Sequence, residues 1–209
     1  MSIKLYGMPL SNYYNMVKAV LIEKGMEFEE VLVTPNQETD YLAKSPMGKV
    51  PCLETEHGFL TETEVIIDYL DDLGQGPSFY PHDPYGKAKV RELIRYLELY
   101  IELPARRLYG DVFFGRPADE ALKVEVKATL EKGFKSLAKL TVCKPYLAGA
   151  VMSYADIYFL YSVTLAATVC RKALAWDLYA DYPELRALLN LMKQRDSIKQ
   201  VRADQAEVA

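Results

Sequence analysis

The first third of the chain alternates between short apolar runs and helical patterns, and this alternation restricts the fold more than any other feature. Residues 3–8 predict a strand, and residues 28–33 predict a second one. Between them, apolar residues at helical spacing predict a helix over residues 12–24. Because the connections are short, the two strands should be parallel neighbours joined by a right-handed crossover.

The next segment predicts a short helix, a hairpin and a closing helix. The helix is expected over residues 38–44, and the hairpin strands over residues 51–55 and 59–61. Residues 62–73 predict the closing helix, whose inward face would consist of Val65, Ile66, Tyr69, Leu70 and Leu73. The element order βαβαββα therefore predicts a small α/β domain.

Strand patterns disappear after residue 86, and helical patterns replace them. They cover residues 87–109, 118–140 and 153–171, and Tyr182-Pro183 opens a last helix. Pro104 is expected to bend or end the first of these. The sequence thus predicts an α/β domain over residues 1–75, a linker rich in Gly, Pro and Asp over 76–86 and an all-helical domain over 87–209. Residues 196–209 resemble a polar tail.

The composition excludes several function classes. The net charge of −4 is mild and the basic residues are mixed with acidic ones, which argues against a nucleic-acid surface. No signal-peptide pattern is seen, and the longest uncharged run, residues 157–170, is short for a membrane span. Three scattered cysteines and two histidines predict neither a metal site nor structural disulfides. We therefore expect a cytoplasmic protein.

Ser11 lies where the first strand gives way to the first helix. The first N–H groups of a helix lack internal partners and carry partial positive charge, so an anion such as a thiolate is favoured beside them. Serine is also among the best helix caps. The residues alone leave both interpretations open: a hydroxyl that acts on a bound anion, or a hydroxyl that caps the helix.

Two further positions allow a binding role and a structural one. Pro51 opens a strand after Lys49 and Val50, and a cis bond to Pro51 would turn backbone groups toward an extended ligand. A trans proline at a strand start is the common alternative. Glu62 and Thr63 begin a helix, where a carboxylate, a hydroxyl and free N–H groups suit an amino-acid zwitterion or merely cap the helix.

The segment before the third long helix predicts a folding device. Ser153 and Asp156 have the spacing of a capping box, in which each side chain bonds the other residue's backbone N–H. Met152 precedes Ser153 and Ile157 follows Asp156, so an apolar contact is expected to secure the same turn. We interpret this motif as structural.

In this order and spacing, the motifs resemble the cytosolic glutathione transferase family over nearly the whole chain. Residues 4–11 resemble the opening of bacterial, serine-type members, with a phi- or theta-like N-terminus. The other matching segments are Val50-Pro51, Glu62-Thr63 with Val65-Ile66, residues 147–149 with Ser153 and Asp156, and Tyr182-Pro183. The resemblance implies a thioredoxin-like N-terminal domain, an all-α C-terminal bundle that supplies the wall of an apolar pocket, and a homodimer.

The resemblance also implies residue roles and a reaction. Ser11 would donate a hydrogen bond to the glutathione sulfur and favour the thiolate. The Val50 backbone would pair with the cysteinyl part of glutathione, and Glu62 and Thr63 would hold its γ-glutamyl end. Lys49 would meet a glutathione carboxylate or remain solvated. The thiolate would attack a small hydrophobic electrophile, as in detoxification, with glutathione as co-substrate and no metal.

Several positions depart from the family pattern and keep alternatives open. Ser11 is followed by Asn12 and two tyrosines where relatives commonly have proline and small apolar residues. Asn12 is therefore a second candidate for the sulfur donor, as in relatives that act on disulfides. Tyr6 and Cys52 are either packed or reactive. Reduction of peroxides or disulfides with glutathione, and a non-catalytic interaction protein of this fold, stay as alternative functions.

Overall fold

The strands of the first third form one four-stranded sheet. The computed structural model describes residues 3–207, and in it the sheet order is β2-β1-β3-β4. The central strand β1 is parallel to β2 and antiparallel to β3, which pairs in antiparallel fashion with β4. The strands are β1 (Lys4–Gly7), β2 (Glu29–Leu32), β3 (Cys52–Thr55) and β4 (Gly58–Thr61).

Three helices complete this unit's predicted order, and the βαβαββα arrangement is confirmed. They are α1 (Asn12–Glu23), α2 (Thr39–Leu42) and α3 (Thr63–Asp72). One part of the predicted α3 face is wrong, because Val65 is 51% exposed while Ile66, Ile67 and Leu70 are buried. Successive helical residues point about 100° apart, so Val65 falls off the stripe that Ile66 and Leu70 define.

The middle of the chain is all-helical, as predicted. Its helices are α4 (Pro84–Leu97), a π-helical turn (Glu98–Glu102), α5 (Leu103–Arg106), α6 (Tyr109–Phe114), α7 (Glu120–Leu140), α8 (Tyr154–Ala173), α9 (Leu178–Asp181) and α10 (Pro183–Met192). The first of these begins inside the predicted linker, because the Asp83 side chain accepts from the Gly86 N–H at 2.7 Å and proline suits the first helical position.

The predicted helix over residues 87–109 is interrupted before Pro104. Pro104 has no N–H to donate to the Tyr100 carbonyl, and the preceding turn takes the π-helical form. Helix α7 packs closely here, since a Cβ atom on Gly133 would lie 2.4 Å from the Tyr100 oxygen. Only glycine therefore fits at position 133 without moving one of the two helices.

The start of α8 is the folding device that the sequence predicts. The Asp156 carboxylate accepts from the Ser153 N–H at 2.8 Å and from the Ser153 hydroxyl at 2.9 Å. It also accepts from the Leu147 N–H at 2.8 Å, which ties the preceding loop to the helix. Asp156 is fully buried, so these bonds anchor the most buried helix of this unit.

The predicted polar tail is wrong, because those residues form helix α11 (Asp196–Ala206). Ile198 and Val201 are buried one turn apart, and Arg195 pairs with Glu23 of α1. The chain divides into two compact units, Met1–Phe79 with Gln194–Ala209 and Tyr80–Lys193. By its contacts, helix α11 thus groups with the first unit.

Within residues 3–207, no helix combines the length and the apolar character that crossing a membrane requires.

Candidate functional site

The segments that carry the predicted site residues adjoin the same end of the sheet. Tyr6 near the end of β1, Cys52 at the start of β3 and Thr61 at the end of β4 are register partners across three neighbouring strands. The chain leaves β1 toward Ser11 and leaves β4 toward α3, and it enters β3 from the cis-proline segment. Strand direction alone therefore brings together three segments that lie far apart in the sequence.

Ser11 lies at the end of a tight turn and caps α1. Its N–H donates to the Met8 carbonyl at 2.9 Å, and its hydroxyl oxygen accepts from the Tyr14 N–H at 3.3 Å. The capping interpretation of Ser11 is therefore confirmed as a contact. It leaves the hydroxyl proton free to donate, because within residues 3–207 this proton has no acceptor. The catalytic interpretation stays a prediction.

Asn12 is less accessible than Ser11 as a hydrogen-bond donor to a bound sulfur. Asn12, the second predicted donor, is 8% exposed, whereas Ser11 is partly accessible.

Tyr14 is buried, and its hydroxyl donates to the Glu30 carboxylate. Burial and this acceptor raise the pKa of Tyr14, so it does not serve as an acid at neutral pH. Its ring occupies the space where a side chain on Gly7 would lie, with Cδ2 2.2 Å from a Cβ at that position.

The segment before β3 presents unpaired backbone. The Val50–Pro51 peptide is cis. Within the described part of the chain, the N–H and C=O of Val50 have no hydrogen-bond partner, although Val50 is half-buried. Lys49 next to it is held through its carbonyl, which accepts from the Tyr41 hydroxyl at 2.9 Å and the Ser45 hydroxyl at 2.8 Å. The Lys49 side chain is exposed.

Sequence reasoning missed Tyr41 and Ser45, which fix this segment from behind. The signal was the Ser45-Pro46-Met47-Gly48 turn, closed by the Gly48 N–H bond to the Ser45 carbonyl at 2.7 Å. Gly48 has a φ of +63°, and a Cβ there would lie 2.0 Å from the Asn36 carbonyl oxygen. Glycine is required at this position by its conformation and by this close approach.

Helix α3 begins after a residue with unusual backbone angles. Glu62 precedes the helix with φ of 68° and ψ of 118°, a combination that non-glycine residues rarely adopt, and its side chain makes no capping bond. Thr63 follows it and is buried, whereas Glu62 is exposed. The capping interpretation of Glu62 is therefore wrong. A strained backbone conformation persists only where the surrounding structure holds it, and such residues concentrate at functional sites.

The remaining candidates, Tyr6 and Cys52, both make contacts within the protein. The Tyr6 hydroxyl donates to the Glu54 carboxylate, and burial together with this bond raises the pKa of Tyr6 to about 12. Cys52 is fully buried, and its thiol contacts the Lys44 carbonyl at 3.5 Å. Burial raises the pKa of Cys52 to about 11, so a thiolate is disfavoured there. In residues 3–207 no three His, Cys, Asp or Glu side chains are grouped as metal ligands.

Comparisons with known proteins agree along the chain. The family model described as "Glutathione S-transferase, N-terminal domain" matches residues 5–78, and the one described as "Glutathione S-transferase, C-terminal domain" matches residues 107–205. The chain is 47% identical to a glutathione S-transferase of Pseudomonas putida over 97% of its own length and 92% of that protein. It is 32% identical to a probable glutathione S-transferase of Oryza sativa subsp. japonica, over 95% and 94% of the two chains.

Solved structures share the architecture. A serine-to-cysteine mutant of poplar glutathione transferase F1 aligns with a TM-score of 0.83 at 25% identity, covering 99% of each chain. A glutathione S-transferase from Pseudomonas fluorescens aligns with a TM-score of 0.78 at 24% identity, covering 93% of this chain and 96% of that one. At this identity the second match supports the fold alone.

Proposed function

The chain belongs to the glutathione S-transferase family, and we propose that it is itself a glutathione transferase. It would bind glutathione, stabilise the thiolate form of its sulfur and conjugate that sulfur to small hydrophobic electrophiles. The observation that carries this proposal is the shared sheet edge, where Ser11, Val50 and Thr63 follow or precede register-paired strands. Each of these residues is proposed to bind a different part of the tripeptide: the sulfur, the cysteinyl backbone or the γ-glutamyl end.

The sulfur is assigned to Ser11. Because the Ser11 oxygen accepts from the Tyr14 N–H, its own proton is left to donate to the sulfur. A hydrogen bond to the anion and the positive end of α1 both favour the thiolate over the thiol and lower the thiol pKa. The thiol releases its proton to water, the sulfur lone pair forms a C–S bond to the electrophile, and the leaving group departs with its bonding electrons.

The peptide backbone of glutathione is assigned to Val50. Its N–H and C=O are unpaired within the described residues and follow the fixed Lys49 carbonyl, so they suit the addition of an extended cysteinyl segment. The exposed Lys49 ammonium suits the glycyl carboxylate. Pro51 follows Val50 and directly precedes β3.

The γ-glutamyl end is assigned to the start of α3. The Glu62 carboxylate suits the ammonium group, and the Thr63 hydroxyl at the positive end of α3 suits the carboxylate. The two opposite charges of a zwitterion are thus met by adjacent residues.

Two further proposals come from family membership. The protein is proposed to act as a homodimer in the cytoplasm, and light scattering of the purified protein tests the oligomeric state. The electrophile is proposed to be small and apolar. Tyr158 and Tyr161 of α8 are buried, while Phe113 and Phe114 of α6 are exposed.

Calorimetry with glutathione and a spectral titration of the bound thiol near 240 nm test the proposal. We expect binding with a thiol pKa below that of free glutathione, and a higher pKa in Ser11→Ala. Binding with an unshifted pKa in both proteins would favour peroxide or disulfide reduction with Asn12 as donor. Absence of binding by the wild type refutes the transferase and favours a non-catalytic interaction protein.

A further inference from the structure

The C-terminal helix α11 contacts the turn that carries Ser11. Gln205 Nε2 donates to the Pro9 carbonyl oxygen at 2.9 Å. Asn15 Nδ2, from the second turn of α1, donates to the same oxygen at 2.7 Å. The turn itself is closed by the Ser11 N–H and the Met8 carbonyl at 2.9 Å. One backbone oxygen next to the predicted catalytic serine is therefore held from two helices.

The Pro9 carbonyl belongs to the central peptide of this turn. The common turn types differ mainly in the orientation of that central peptide, and the conformations of the flanking residues change with it. Two donors on one oxygen favour a single orientation, because the other would leave the carbonyl and both amides without these bonds. Ser11 closes the turn, so the direction of its hydroxyl depends on this peptide.

Two ion pairs hold α11 along α1. At one end, the Lys18 ammonium lies 2.6 Å from Asp204 and 2.7 Å from Glu30, and its side chain is only 3% exposed. At the other end, Arg195 pairs with Glu23. Since Asp204 directly precedes Gln205, its pair with the buried Lys18 places the Gln205 amide beside Pro9. The helix is fastened where it meets the turn.

We propose that Gln205 is a positioning residue for glutathione activation. By holding the Pro9 carbonyl, it keeps the Ser11 hydroxyl in the orientation that donates to the sulfur. The Lys18–Asp204 pair keeps Gln205 within reach. This inference rests on the proposed function, and it gives the C-terminal helix a role in the chemistry of the N-terminal domain.

Gln205→Glu tests the proposal, because glutamate has nearly the same shape but no N–H to donate at neutral pH. Gln200→Glu is the matched control, since it makes the same charge change at an exposed position of the same helix. For Gln205→Glu we expect kcat/KM to fall about five-fold, as for the loss of one hydrogen bond. The bound thiol pKa should rise, amide exchange at Ser11 should quicken, and KM for glutathione should stay unchanged.

The possible outcomes separate the two proposals. Unchanged rate and thiol pKa in a folded Gln205→Glu protein overturn the positioning role while the wild type remains an active transferase. Failure of the wild type to bind glutathione overturns both. If Gln205→Glu does not fold, Gln205→Met, which is apolar and of similar length, carries the same test. Activity that falls only with the folded fraction indicates a structural role and also overturns the proposal.

Discussion

Helices α1 and α8 both begin at a serine, and the two serines differ in what their hydroxyl protons do. Ser153 is 3% exposed, and its hydroxyl donates to the buried Asp156 carboxylate. Ser11 is partly accessible, and its hydroxyl accepts from Tyr14 while its proton has no acceptor within residues 3–207. The N-cap serine of α8 thus donates within a buried network, whereas the hydroxyl proton of the N-cap serine of α1 is not used within the described residues.

A helix cap can bind a further group only when its neighbours leave one of its own hydrogen-bonding groups unused. Asp156 is the neighbour that satisfies the start of α8, together with the Leu147 loop. No residue of this kind follows Ser11, where the first turn of α1 contains no acidic residue. An acidic residue there would favour the helix but disfavour a thiolate, because like charges repel.

The largest effect is expected at the satisfied cap. Asp156→Ala removes the acceptor of the Ser153 and Leu147 N–H groups in a buried place, and we expect the unfolding free energy to fall by about 3 to 5 kcal/mol. Urea unfolding measures it. Asp119→Ala is the control, since Asp119 caps α7 at an exposed position and should cost about 1 kcal/mol. Equal losses in the two variants would contradict the comparison.

Replacement of Ser11 should mainly affect activity. Without the donated hydrogen bond, Ser11→Ala and Ser11→Gly should each lower kcat/KM about 10- to 100-fold, as for a bond to a charged group. Their stabilities should differ, because alanine at a cap costs about 1 kcal/mol and glycine only a few tenths. Steady-state kinetics and thermal unfolding of both variants separate the two effects. Full activity in Ser11→Gly would mean that capping is the only role of Ser11.

Substitutions of Glu62 should lower the affinity for glutathione but, where they relieve backbone strain, raise the stability. Glu62→Gln keeps the shape but removes the charge, so we expect glutathione affinity to fall about five-fold at unchanged stability. Glu62→Gly also removes the charge but accepts a φ of 68°, and it should raise the unfolding free energy by about 1 kcal/mol. Calorimetry and urea unfolding measure these changes. Glu56→Gln, at the exposed hairpin turn, is a control that should change neither.

Cys52 should react least with thiol reagents, although it is the register partner of Tyr6 and Thr61 at the end of the sheet where the site is proposed. With its pKa raised to about 11 by burial, the folded protein should leave Cys52 unalkylated by iodoacetamide at pH 8. The partly exposed Cys143 should react first, which mass spectrometry resolves. Rapid labelling of Cys52 in the native state would restore the interpretation of Cys52 as a reactive residue.

The same raised pKa predicts a pH dependence of stability. Between about pH 9 and 11, the unfolded chain loses the Cys52 proton while the folded protein keeps it, so the folded state binds more protons. The contribution of Cys52 to stability is therefore complete below this range and is lost as the pH rises through it. Cys52→Ala should show a shallower decrease in unfolding free energy over this interval.

Local signals in the sequence predicted most of the first unit and part of the site. The element order from β1 to α3 was predicted because apolar periodicity and the Gly and Pro breaks agree there. The capping box at Ser153 was predicted because its partners lie three residues apart. Helix α11 was missed because its apolar positions are few, and its stabilising partners, such as Glu23, lie about 170 residues away in the chain.

By itself, the sequence determined most of the segments that become strands and helices, with α11 as the exception, and the residue types at their ends, since these depend mainly on neighbours a few positions apart. Only the tertiary structure decided which of those ends are satisfied. The pairing of β1 with β3 and the hydrogen bond from Gln205 to Pro9 join residues that lie far apart in the sequence. The Tyr41 and Ser45 hydroxyls reach the Lys49 carbonyl only because the chain turns back between them. Hydrogen bonds depend on position in space, so a free donor is recognised only after every possible partner has been placed.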